Sequence, residues 1–201
     1  MKKTAIFTPF IILTLIAPLA LGGTPTEPES IDESGDAHVG GVYVPALDIT
    51  SAWFTSVEIT ASTQTLPGTA LTFQLADIGT GSPLADDADG NTHYYYRADF
   101  EVDGAPLFVQ CYVSLVPSPQ AIGTGGIGAG TFCQRSEGSA PPKGEADLLN
   151  DRFVMTFPNA QENGVVLGNV VLTTWTQSLP SLVKSASPTD TAYAGDFVVG
   201  S

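Results

Sequence analysis

Apolar and polar positions alternate with period two along much of the chain. Leu71-Thr72-Phe73-Gln74-Leu75 alternates strictly, as does Phe153-Val154-Met155-Thr156-Phe157, which stops at Pro158. Alternation of this kind places the apolar residues on one side of an extended strand. Residues 164–177 (GVVLGNVVLTTWTQ) are rich in β-branched side chains, which pack well on a pleated surface. Turn signals separate the runs: Pro67-Gly68, residues 79–83, residues 123–130, residues 138–144, Asn163-Gly164 and Ser187-Pro188. No segment carries an apolar stripe of helical period. The pattern predicts an all-β protein, an antiparallel β-sandwich with jelly-roll or immunoglobulin-like layering.

The clearest local unit is a hairpin centred on Asp103-Gly104. A type I′ turn needs positive φ at both central residues, and Asp-Gly supplies them. A two-residue loop pairs Val102 with Ala105, Phe100 with Leu107, Ala98 with Val109, Tyr96 with Cys111 and Tyr94 with Val113. That side faces the core. The other side carries Tyr95, Arg97, Asp99 and Glu101 against Phe108, Gln110 and Tyr112. Cys111 then points inward, where a bridge to Cys133 would pin two layers together. A slip of one residue would turn it outward.

The chain opens Met1-Lys2-Lys3 and continues with an uncharged, largely apolar run broken by Pro9 and Pro18. Two lysines, a short apolar run and Ala20-Leu21-Gly22 predict a secretory signal peptide over residues 1–22. An uncleaved anchor is the alternative, and either one places the remainder outside the cytoplasm, secreted or at the cell surface. Residues 24–38 (TPTEPESIDESGDAH) are acidic and nearly devoid of apolar side chains. Residues 23–38 are therefore expected as a disordered acidic linker, with the sandwich domain over 39–201. About 160 residues are enough to bury roughly 70% of the unfolded chain's surface. In an exported chain the two cysteines, Cys111 and Cys133, predict one disulfide. It would close a loop of about 23 residues and stabilise by roughly 3 kcal/mol.

Charge narrows the list of partners. Seven Lys and Arg oppose 21 Asp and Glu, a net −14, and loss of Lys2 and Lys3 would leave −16. Such a surface repels phosphate backbones and anionic lipid, so neither is an expected partner. It suits saline surroundings, where ions screen the self-repulsion.

Motifs for catalysis are weak. No Gly-x-Ser-x-Gly occurs, and of the two histidines His38 lies in the acidic stretch and His93 at a strand start. Gly123-Thr124-Gly125-Gly126-Ile127-Gly128 matches a dinucleotide loop in letters, but a strand-like segment follows it where a helix is required. Paired carboxylates carry no signal in so acidic a chain. No enzyme is expected. Asp86, Asp87, Asp89 and Asn91 form the densest oxygen cluster, read either as an irregular calcium-binding loop or as a solvated acidic turn. Too few His and Cys are present for zinc.

Three segments resemble the DOMON-like sugar-binding β-sandwich modules, among them carbohydrate-binding module family 9. Ala46-Leu47-Asp48-Ile49-Thr50-Ser51-Ala52-Trp53-Phe54, followed by residues 71–77, is similar to their first two strands. Residues 94–104 (YYYRADFEVDG) resemble their central hairpin, and Asp190-Thr191-Ala192 with Phe197-Val198-Val199-Gly200 their closing strands. The resemblance implies a ligand-binding accessory role, often with bound calcium, and no catalysis. The expected function is thus an exported binding module for carbohydrate, using Tyr95, Arg97, Asp99, Phe108, Gln110 and Tyr112. The alternative is a structural or adhesive surface protein that binds other chains through sheet edges.

Overall fold

A computed structural model describes residues 23–61, 64–78, 93–114, 130–136, 142–147, 149–158, 165–177 and 188–199. The signal sequence, the Asp86–Asn91 cluster and the Gly123–Gly128 loop lie outside these residues. In chain order the elements are β1 (Ser30–Ile31), β2 (His38–Val39), β3 (Val42–Tyr43), a 3-10 turn (Pro45–Leu47), β4 (Ile49–Ala61) and β5 (Gln64–Leu75). There follow β6 (His93–Val102), β7 (Ala105–Ser114), β8 (Gly130–Arg135), β9 (Lys143–Asp147) and β10 (Arg152–Pro158). The last are β11 (Val166–Gln177), β12 (Asp190–Tyr193) and β13 (Phe197–Val198). No helix among the described residues is long and apolar enough to cross a membrane.

Among the described residues the strands form a separate two-stranded β2-β3 sheet and two large antiparallel sheets. One runs β1-β4-β5-β10-β9, and the other β12-β11-β6-β7-β8 with β13 also paired to β11. Period-two patterning is what stacks them. Phe54, Leu71, Phe73, Phe153 and Met155 of the first sheet, and Tyr94, Tyr96, Ala98, Val109 and Leu172 of the second, are all buried in one cluster. Rings lock the layers together: Tyr96 stacks on Phe153 at 4.2 Å between centroids, and Phe54 on Phe197 at 4.9 Å. The Tyr96 hydroxyl, wholly buried, donates to the Ala46 carbonyl at 2.8 Å.

The hairpin takes the register that Asp103-Gly104 dictates. Val102 lies opposite Ala105, Tyr96 opposite Cys111 and Tyr94 opposite Val113. Asp103 (φ 51°) and Gly104 (φ 77°) both sit in the left-handed region. Cys111 faces the core and is bonded to Cys133, but the bridge differs from expectation in what it joins. Cys133 stands directly opposite Cys111 on the neighbouring strand β8, so the bond fastens an edge strand within one sheet. The two layers are held by packing instead. A Cβ on Gly144 of β9 would meet the Cys111 sulfur at 3.0 Å and the Phe153 ring at 2.8 Å, so only glycine lets β9 lie over the bridge.

Two further readings are corrected. Pro67-Gly68 is not a break: β5 runs through both. Among the described residues, pairing with β10 ends at Gly68, so Pro67 is paired on its β4 side alone, where a missing N–H is tolerated. Residues 23–38 are not a solvated tether either. Ser30 and Ile31 pair with Ala52 and Ser51, and the Glu29 carboxylate accepts from the Phe54 N–H at 3.0 Å. Ala37 is buried. Few apolar residues are needed here, because the segment is held by backbone pairing and by its carboxylates.

Candidate functional site

The outer face of the β11-β6-β7-β8 sheet gathers the site residues expected from the hairpin. Register places Trp175, Tyr95, Tyr112 and Phe132 in one row across four strands. The rings form a ladder. Tyr95 stacks on Trp175 at 4.9 Å, Tyr95 meets Tyr112 at 5.4 Å, and Tyr112 stacks on Phe132 at 5.6 Å. His93 adds an edge contact to Tyr112 at 5.1 Å. Accessibility rises along the row: Trp175 and Tyr95 are buried, Tyr112 is half-buried and Phe132 is 48% exposed.

A polar row runs beside it, formed by Thr173, Arg97, Gln110 and Gln134. Arg97 Nε donates to both Asp99 oxygens at 2.9 and 2.8 Å, Nη2 pairs with the same carboxylate, and the guanidinium lies 4.1 Å from the Phe108 ring centre. Such a clamp fixes the planar cation in place. Arg97 Nη1 also donates to Gln110 Oε1 at 3.3 Å. That contact orients the amide and leaves Gln110 Nε2 buried with no acceptor, while the buried Thr173 hydroxyl also lacks a partner. Unsatisfied buried donors are costly and mark places where a ligand or water group belongs.

All six expected residues therefore share one face, but they do not form one open platform. Tyr95 and Gln110 are buried, and Arg97, Asp99, Phe108 and Tyr112 are half-buried. Trp175 and Phe132 are not among the site residues expected from the sequence. Only the strand register, set by non-local pairing, reveals that they extend the row. Trp53 lies on the outer face of the other sheet, with the Arg152 guanidinium 5.2 Å from its ring centre.

A second constellation was not anticipated. Asp36, Asp48 and Asp190 each bring a carboxylate oxygen within 4.8 Å of the others. The turn at Pro45–Leu47 delivers Asp48, and two buried hydrogen bonds anchor it: Tyr96 to the Ala46 carbonyl and Thr174 Oγ1 to the Leu47 carbonyl. Asp48 Oδ2 accepts from the Tyr43 hydroxyl, from the Gly35 N–H at 2.8 Å and from Ser34 Oγ at 3.4 Å. Asp190, at the start of β12, accepts from the Ile49 and Thr191 N–H groups, each at 2.6 Å. Asp32 lies close by. Burial, reinforced by the charges of Asp32 and Asp36, pushes the Asp190 carboxyl up to about 7. Burial also raises the Asp32 carboxyl, and the Tyr43 phenol rises to about 12 through burial and its bond to Asp48.

The raised Asp190 value has a measurable consequence for metal-free protein. The folded chain keeps a proton on this carboxyl that the unfolded chain releases near pH 4. Its stabilising contribution is complete below that pH and is lost as pH rises toward 7. In chelator, the melting temperature is expected to fall by roughly 5–10 °C between pH 5 and pH 8 on this account. Asp190→Asn should flatten that slope, and thermal scans of both proteins at the two pH values check it. Asp32, Asp36, Asp48 and Tyr43 are the other titratable groups facing this carboxyl.

Comparison with family models, with characterised proteins and with solved structures finds no match for this chain.

Proposed function

We propose that the protein is an exported, non-catalytic binding module that takes carbohydrate on the outer face of the β11-β6-β7-β8 sheet. The observation that carries this reading is the aromatic ladder ending in exposed Phe132, flanked by a fixed polar row. Sugar rings present one apolar face and a rim of hydroxyls. Phe132 and Tyr112 supply a surface on which such a face stacks. Arg97, the Gln110 amide and Gln134 supply donors and acceptors beside it. Because Trp175 and Tyr95 continue the row of ring contacts beside Tyr112, the platform is held in place before the ligand arrives, which lowers the entropy cost of binding. The N-terminal signal-like sequence and the disulfide support export.

The test is retention of the protein on a panel of immobilised polysaccharides. Phe132→Ala and Tyr112→Ala should each weaken binding at least about ten-fold, the loss of roughly 1.4 kcal/mol. Phe132 is exposed, so its variant keeps the wild-type melting temperature. No retention on any polysaccharide, or equal retention of wild type and both variants, would contradict the reading. Concentration-dependent self-association in light scattering would point instead to an adhesive role through sheet edges.

A further inference from the structure

We propose that Asp36, Asp48 and Asp190, with Asp32 beside them, form a calcium site that clamps the N-terminal segment onto the sandwich. The proposal is independent of the ligand face.

Three carboxylate oxygens within 4.8 Å of one another fit on a single calcium shell, whose radius is about 2.3–2.6 Å. Proximity of acids alone would not make a site. What points to an ion is the state of one buried oxygen. Asp48 is 0% exposed, yet its Oδ1 accepts no hydrogen bond. Among the described residues, no Lys, Arg or His forms an ion pair with any of the four aspartates. A buried carboxylate oxygen without a donor, on a group without a counter-charge, is disfavoured, and like charges alongside add to the cost. A bound cation removes both penalties at once.

The donor set selects the kind of cation. Every ligand atom is oxygen, with no imidazole or thiolate, which suits a hard ion. The aspartates come from four separated positions: after β1, before β2, after the 3-10 turn and at the start of β12. The backbone amides of Gly35, Ile49 and Thr191 already hold Asp48 and Asp190 in place. A ligand set of such mixed origin meets the tolerant geometry of calcium more readily than the near-octahedral demand of magnesium. Asp36 is exposed, so it opens the cluster to entry from solvent.

The experiment uses the whole chain, freed of metal with EDTA and desalted. Calcium binding is measured by calorimetry, and terbium luminescence is read under tyrosine excitation, since Tyr43 donates to Asp48 and sits at the site. Wild type is expected to bind calcium, to melt at a higher temperature with it, and to prefer it to magnesium at least ten-fold. Asp190→Asn should abolish this binding. Asp36→Asn, at an exposed position that does not endanger folding, should weaken it at least ten-fold. Substituting Asp86, Asp87 and Asp89 together by Asn should leave the affinity lost in Asp36→Asn intact. Failure of wild type to bind calcium would overturn the proposal. So would calcium affinity in both Asp36→Asn and Asp190→Asn equal to that of wild type. Magnesium binding as tight as calcium would overturn the choice of ion.

Discussion

Phe153→Ala is expected to destabilise the folded chain by about 3–5 kcal/mol, the usual cost of truncating a buried phenylalanine. Phe153 belongs to β10 in one sheet, and its ring stacks at 4.2 Å on Tyr96 of β6 in the other. It also packs beneath Gly144, where a Cβ would approach its ring to 2.8 Å. Removing the ring opens a cavity between two sheets, and backbone ladders on both sides hinder its collapse. Much of the chain's net stability is at stake, since domains of this size are stable by only about 5–15 kcal/mol. Urea unfolding followed by fluorescence checks it, with the midpoint falling and the slope unchanged. A loss below about 1 kcal/mol would mean that the layers do not meet at this ring.

Replacing both cysteines, as Cys111→Ala with Cys133→Ala, is expected to cost about 3 kcal/mol, the loop-closure contribution for a bridge of this span. The two residues are 22 apart in sequence. Their bond ties β8, an edge strand of the larger sheet, to β7. β8 also carries Phe132, the exposed end of the aromatic ladder. The double variant should therefore show two effects: a lower urea midpoint, and amide hydrogen exchange that quickens first over Gly130–Arg135. The free wild-type protein under a strong reductant should behave in the same way. If β8 stayed protected while the rest of the chain loosened, the bridge would have some other role.

The fold was largely legible in the sequence, and particular residues show why. Alternation at Phe153–Phe157 and the turn at Asp103-Gly104 are local signals, so β10 and the β6–β7 register could be read directly. β9 could not. Lys143–Asp147 is a short edge strand of small and charged residues, and its one informative position is a glycine chosen for contact with a distant sulfur. The N-terminal segment misled because its acidic, apolar-poor composition resembles a solvated tether. Instead its Glu29 carboxylate accepts from the Phe54 N–H and its Gly35 N–H donates to Asp48, which fastens the segment to the sandwich.

The site divides in the same manner. That Tyr95, Arg97, Asp99, Phe108, Gln110 and Tyr112 share a face followed from strand periodicity alone. How deeply each lies did not, because burial depends on which strands flank the hairpin. β11 brings Trp175 against Tyr95 and both rings are buried, whereas Phe132 on β8 is open. The aspartate cluster was beyond sequence reasoning altogether. Asp36 and Asp190 lie more than 150 positions apart in the chain, and the fold alone brings them together.

The most direct test of the account is a two-dimensional NMR titration of the folded protein with oligosaccharides of each class retained in the binding panel. The account expects shifts concentrated on β7 and β8, at Gln110, Tyr112, Phe132 and Gln134, with the opposite sheet undisturbed. Shifts centred on any other surface, or none with any sugar at millimolar concentration, would contradict it.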